Sequence, residues 1–213
     1  MGDRTVDRLD TERVPEILQA ACRVIGREGA HGLRMEAVAR EAGVSKALVH
    51  YYFTTRRELL HSAFLYSEDR ANARVEAELA LLETGAERLE RYLVLDLDED
   101  PVFRENRALW SEAWSLMRLD ERLRPEVERL YRAWSERLIE LIEEGRGDGS
   151  VPAGVDAERL AGRLAAVVDG LESQLLLGIV TAPVAAETVR EAVDGELGRS
   201  TATANLGDRR DVI

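Results

Sequence analysis

Ala39, Gly43 and Val49 stand in the spacing A-x3-G-x5-V, and each residue type has a steric reason to be there. Ala39 is small enough for one helix to cross closely over the next. Gly43 can take the left-handed backbone conformation of a tight inter-helix turn without a Cβ clash. Val49, on the second helix, points inward and fixes the angle between the pair. The result is a helix-turn-helix, and it leaves Ser45, Lys46, Ala47, His50 and Tyr51 on an outer face of a size and chemistry that fit a DNA major groove.

The surrounding chain is predicted to be all helical. Val14, Ile17, Leu18, Ala21 and Ile25 recur at helical spacing from about Thr11 to Glu28, and Gly29 ends that helix. The second helix begins near Arg34, and the third runs from Lys46 to about Tyr52 with Ser45 as its N-cap. Thr55 and Glu58 form a capping-box pattern that opens a fourth helix, reaching about Leu82. Further helices are expected at Ala86–Leu97, Val102–Met117, Leu123–Glu144, Asp156–Gly178 and Pro183–Leu197, with a glycine-rich loop over Gly145–Val155. That gives about nine helices and no strand. Residues 1–58 form the helix-turn-helix domain, with 1–9 as a flexible arm. Residues 59–200 form a second helical domain, and 201–213 form a flexible tail.

Charge divides along the same boundary. The net charge of −12 looks wrong for a DNA-binding chain. Residues 1–62, however, carry ten Lys/Arg against nine Asp/Glu, and the acidic excess lies in the remainder. Phosphate affinity depends on a local basic face, so a distant acidic body is compatible with it. The single cysteine, Cys22, excludes an intramolecular disulfide and suits a reducing, cytoplasmic setting. No apolar run approaches the ~20 residues of a membrane span. Three scattered histidines and one cysteine offer no zinc site. Nucleophile-elbow, phosphate-loop, His-Glu-x-x-His and Cys-x-x-Cys patterns are missing, so neither an enzyme nor a cofactor is expected. The Arg146-Gly147-Asp148 tripeptide is read as chance.

The stretch from Ile17 to about Leu60 resembles the DNA-binding head of the TetR family of transcriptional regulators. The residues that carry the resemblance are the Ala42-Gly43-Val44 turn, Ser45-Lys46, the aromatic run Tyr51-Tyr52-Phe53, and Arg56 before Glu58-Leu59. It implies that Lys46 meets phosphate or a guanine edge and that His50 and Tyr51 lie against the groove. Tyr52, Thr55 and Arg56 would hold phosphates, joined by Arg34 where relatives often have threonine. Leu48, at a position often polar in relatives, would favour a thymine methyl. Val49 and Phe53 are assigned to the core instead.

The later helices resemble the BetI-like branch, through Trp110-x3-Trp114, Tyr131-x2-Trp134, Asp169-Gly170-Leu171 and Leu175-Leu176-Leu177-Gly178. This resemblance implies a repressor that binds a palindromic DNA operator as a homodimer and is released by a small-molecule effector. Leu164, Val167, Val168, Leu171, Leu175 and Ile179 would form the dimer interface. Trp110, Trp114 and Met117 share one helix face, with Phe64, Tyr92, Phe103 and Trp134 expected around the same space. Glu112, Asp169 and Glu172 are the carboxylates expected to enter it. Aromatic faces and carboxylates together would suit a cationic or amphipathic effector. The alternative is a helical adaptor for a protein partner, with a head that no longer binds DNA.

Overall fold

The structure is a computed structural model that describes residues 4–117 and 124–199, and of residues 4–12, 116 and 117 the backbone alone. Within that range every regular element is a helix. They are α1 (Arg4–Gly32), α2 (Met35–Ala42), α3 (Lys46–Tyr52), α4 (Arg56–Leu79), α5 (Gly85–Leu95), α6 (Pro101–Met117), α7 (Arg124–Asp148), α8 (Ala157–Leu176) and α9 (Ala182–Glu196).

Local chemistry accounts for most boundaries. Thr84 and Glu87 make a reciprocal capping box at the start of α5. Asp100 accepts the Val102 N–H at 2.9 Å and Pro101 opens α6, so the acidic turn that stops one helix also starts the next. Asp156 accepts the Arg159 N–H at the head of α8. Thr55 accepts the Glu58 N–H at 3.1 Å, but the Glu58 carboxylate reaches back to the N–H of Thr54 rather than Thr55.

Two expectations are corrected. α1 begins at Arg4, so residues 4–9 of the expected flexible arm have helical backbone. No glycine or proline interrupts residues 4–14. The first part of the arm (1–3) and the tail from 201 lie outside the described residues. α7 continues to Asp148 and absorbs the first part of the glycine-rich loop. The reason is a close crossing: a Cβ on Gly85 would lie 2.1 Å from the Gly145 nitrogen, so the two backbones touch. Asp148 then accepts the Gly85 N–H at 2.7 Å and Ser150 the Ala86 N–H at 3.1 Å. The Arg146-Gly147-Asp148 segment is thus a cap for α5.

Two apolar clusters organise the molecule. One unites α1, α2 and α3 through Ile17, Val24, Val38 and Val49, and continues into α4 at Leu59 and Phe64 and α6 at Leu109 and Ala113. The other fills the body with Leu89, Leu93, Leu138, Leu141, Leu164 and Val189. Helices as short as α2 and α3, eight and seven residues long, are below the ~12–15 residues that hold alone in water. Burial against α1 keeps them folded.

Candidate functional site

The head presents one exposed helix. Gly43 has φ 68° and ψ 28°, and the Val44 and Gly43 N–H groups return to the carbonyls of Ala39 and Arg40 at 2.9 and 3.3 Å. This closes α2 with a Schellman-type turn that requires a left-handed residue. The Ser45 hydroxyl accepts the Leu48 N–H at 3.1 Å and starts α3. Val49 and Phe53 are buried. Lys46, Ala47, His50 and Tyr51 face outward with Ser45, and Leu48 and Tyr52 are half-buried. Tyr51 is 71% exposed and packs edge-on against Tyr52 with ring centres 5.0 Å apart. Arg34 precedes α2 in extended conformation, makes no capping bond and is exposed. Thr55 is exposed at the head of α4.

Arg56 departs from its expected role. Its Nε donates to the Leu33 carbonyl at 2.8 Å and its Nη2 to the Ala30 carbonyl. The guanidinium is turned toward the α1–α2 junction, where the Ala30 carbonyl also accepts the Leu33 N–H at 3.0 Å.

Between α4, α5, α6, α7 and α8 lies a cavity of about 190 Å³. Five aromatic rings run along its wall in sequence: Trp110 to Trp114 at 5.7 Å, Trp114 to Tyr131 at 5.5 Å, Tyr131 to Trp134 at 5.7 Å, and Trp134 to Tyr92 at 6.2 Å. Five carboxylates share the wall, Glu68, Glu76, Asp96, Asp169 and Glu172, together with the Arg137 guanidinium, which pairs with Glu76 at 3.4 Å. Three of them hold rings in place. Glu68 accepts the Trp110 indole N–H at 2.6 Å and the Asn106 amide at 2.6 Å. Asp96 accepts the Trp134 indole N–H at 2.9 Å, and Asp169 accepts the Tyr131 hydroxyl at 2.8 Å.

Burial raises the proton affinity of this acidic group. The Asp96 carboxyl is pushed up to about 7, with the Trp134 N–H partly opposing the shift. Glu172 is raised by burial and by the charge of Asp96. Asp169 and Glu68 rise for the same first reason, and the Tyr131 hydroxyl is pushed up to about 12 by burial and its bond to Asp169. Arg107 is buried behind the wall, donating to the Asp96 and Asp98 carbonyls at 2.7 and 3.4 Å. Electron-rich ring faces beside buried carboxylates favour an organic cation and disfavour an anion.

Of the residues expected around this space, Tyr92, Trp110, Trp114, Trp134, Asp169 and Glu172 line it. Phe64 and Phe103 do not: both are buried core, Phe64 edge-on against the far side of Trp110 at 5.1 Å. Glu112 is also outside, because two residues along a helix turn the side chain about 200° from Trp110. It accepts the Ala30 N–H at 2.9 Å instead. The Met117 side chain lies outside the described residues. Sequence reasoning missed Glu68, Asp96, Asn106 and Tyr131. Tyr131 had a signal in its i,i+3 spacing to Trp134; the acids had none among so many surface carboxylates.

The expected dimer surface is likewise redistributed. Leu164, Val168 and Leu171 are buried within the chain's own body core, Val167 and Leu175 are half-buried, and only Ile179 is exposed, just past the end of α8. α8 carries apolar residues on more than one face, and packing against α7 and α9 takes the broad stripe. The outward positions of α8 include Gly162, Arg163, Ala166, Gly170 and Ser173, followed by Leu176 and Leu177, with Val184 on α9.

Residues 17–63 match the family described as bacterial regulatory proteins of the tetR family, and residues 85–198 match the BetI-type transcriptional repressor C-terminal domain. The chain belongs to the TetR family. The BetI regulator of Rhizobium meliloti is 30% identical over 179 residues, 84% of each chain. A transcriptional regulator from Saccharomonospora viridis, solved in complex with choline, superposes with a TM-score of 0.78 at 30% identity, over 86% of this chain and 96% of that one. A TetR-family regulator from a Rhodococcus species gives 0.73 at 31% identity, over 88% and 99%. This TetR-family chain is therefore a BetI-type transcriptional regulator, which sets the adaptor alternative aside. Regulators of the family bind DNA operators and small-molecule effectors, and its relatives here are regulators rather than enzymes. No described helix is long and apolar enough to cross a membrane.

Proposed function

We propose that this chain is a dimeric repressor that reads a palindromic operator with α3 and is released by a small quaternary ammonium cation. The observation that carries the effector class is the run of five rings beside the carboxylates Glu68, Asp96, Asp169 and Glu172, with Glu76 already paired to Arg137. The choline held by the Saccharomonospora viridis regulator supports it. A trimethylammonium group has no N–H to donate, so recognition falls to ring faces and charge, and both are present. Ligands that add a carboxylate to the ammonium group are disfavoured by the same acids.

Lys46, His50 and Tyr51 are the residues offered to bases and phosphates, with Ser45, Ala47 and Leu48 beside them and Arg34, Tyr52 and Thr55 at the edges. Dimerisation uses the outward strip Gly162, Ala166 and Gly170 of α8 with Leu177, Ile179 and Val184. Small residues there let two helices of the partner approach closely, giving an isologous four-helix contact. Two heads would then address half-sites about 34–36 Å apart, or a multiple of that spacing. Such a protein works where its DNA is, in the cytoplasm.

Calorimetry with choline and glycine betaine, run beside footprinting of the DNA upstream of the gene, tests the reading. Choline should bind and abolish protection, with glycine betaine far weaker. Intact operator protection with no choline binding at millimolar concentration would remove the effector assignment.

A further inference from the structure

α1 ends in a backbone conformation that only glycine adopts readily: Gly29 has φ 70° and ψ 176°. The segment that follows leads into the helix-turn-helix, and two charged side chains from distant parts of the sequence hold it. Glu112 of α6 accepts the Ala30 N–H at 2.9 Å. Arg56, the first residue of α4, donates to the carbonyls of Ala30 and Leu33. Both holding helices also wall the cavity: α6 through Asn106, Trp110 and Trp114, and α4 through Glu68 and Val75. Glu112 lies two residues from Trp110 on a rigid helix, and its neighbours Leu109 and Ala113 are packed into the head's own core.

We propose that Glu112 and Arg56 clamp the Ala30–Leu33 segment and so pass displacements of the cavity helices α6 and α4 into the DNA-reading head. That the clamp transmits ligand occupancy rests on the reading of the cavity as an effector site; that it sets the position of the head does not. A packed helix translates as a unit, so a shift at Trp110 moves the Glu112 carboxylate with it. The Ala30 N–H then either follows or loses its acceptor. In both cases the entry to α2 moves, and α2 is bound to α3 through the fixed Gly43 turn.

Glu112 is the residue to test, because Arg56 follows Thr55, which is offered to DNA, and its loss would confuse two roles. The full-length protein carrying Glu112→Ala or Glu112→Gln is titrated with operator duplex, without and with saturating choline, and choline affinity is measured separately. Glutamine keeps an amide oxygen for the Ala30 N–H and should behave as the wild type. Alanine should lower operator affinity in the free protein by about fivefold or more, the scale of typical allosteric couplings. It should also shrink the choline-induced loss of operator affinity toward none, with choline affinity held to within about twofold. Hydrogen exchange at Ala30 should accelerate in Glu112→Ala alone.

Wild-type operator affinity in Glu112→Ala overturns the clamp. So does a Glu112→Gln protein as impaired as Glu112→Ala, or a lowered operator affinity with an unchanged choline response. Should Glu112→Ala fail to fold, Gly29→Ala replaces it: its Cβ would sit 3.2 Å from the Glu112 carboxylate on a strained backbone, and the same two losses are expected. If choline does not bind the wild type, the effector assignment fails, while the free-state operator affinities still decide the clamp.

Discussion

The surface proposed to meet DNA is centred on one seven-residue helix, whereas the cavity gathers side chains from five helices between Glu68 and Glu172. The α3 surface keeps Ser45, Lys46, His50 and Tyr51 exposed and turns Val49 and Phe53 into the core. The cavity does the reverse, drawing carboxylates in among aromatic rings and holding them there with indole and phenol hydrogens. A solvated face can change its readout by single substitutions at little cost in stability. A buried acidic cage cannot, since Glu68, Asp96 and Asp169 each also orient a ring.

The sharpest way to break this comparison is Val49→Asp. An unpaired carboxylate in a fully buried site costs several kcal/mol, so α3 should detach and operator affinity should fall to the non-specific level, roughly 10³-fold or more. Choline affinity by calorimetry should be retained, since α3 touches no part of the cavity. A parallel loss of choline binding would show that head and cavity fold as one unit. The converse substitution is Trp134→Ala, which removes a ring and the hydrogen-bond partner of Asp96. With a desolvated cation–π contact near 2 kcal/mol, choline should bind about 30-fold more weakly, while operator affinity without choline stays put.

Acidity separates the regions further. Asp96 holds a proton up to about pH 7 in the free protein, and a bound cation favours its release. Choline affinity should therefore rise about tenfold between pH 6 and pH 8, following the ionised fraction of one group, and Asp96→Asn should flatten the profile. The sign for stability is opposite. A carboxyl raised on folding contributes fully below its ordinary value and loses that contribution as pH rises through 7. The free protein should melt lower at pH 8 than at pH 5.5, with choline narrowing the gap. A pH-independent choline affinity would place the cation away from Asp96. The smallest effect is expected at Ser45→Ala. It removes the α3 cap, costs about 1 kcal/mol, and should lower the melting temperature and operator affinity slightly with no change at the cavity.

The head was largely legible because its determinants are close in sequence. The Gly43 turn, the Ser45 and Thr55 caps and the inward Val49 each depend on neighbours within a few residues, and all stand where the spacing puts them. Arg56 was the exception, since its partners Ala30 and Leu33 lie more than twenty residues away. In the body, the aromatic residues at i,i+4 on α6 announced a shared face. Phe64, Phe103 and the dimer leucines were misplaced because buried apolar residues look alike whether they line a cavity, fill a core or await a partner.

Most helix positions, the Ser45 and Thr55 caps, the inter-helix turn and the family to which the chain belongs follow from the sequence alone, for they rest on backbone preferences and on periodicities that local sequence contains. Which acids enter the cavity, and that Glu112 reaches the head instead, follows only from the tertiary structure. A side chain's direction turns about 100° with each residue of a helix, so its surroundings depend on how that helix is rotated against its neighbours. That rotation is set by packing over the whole bundle.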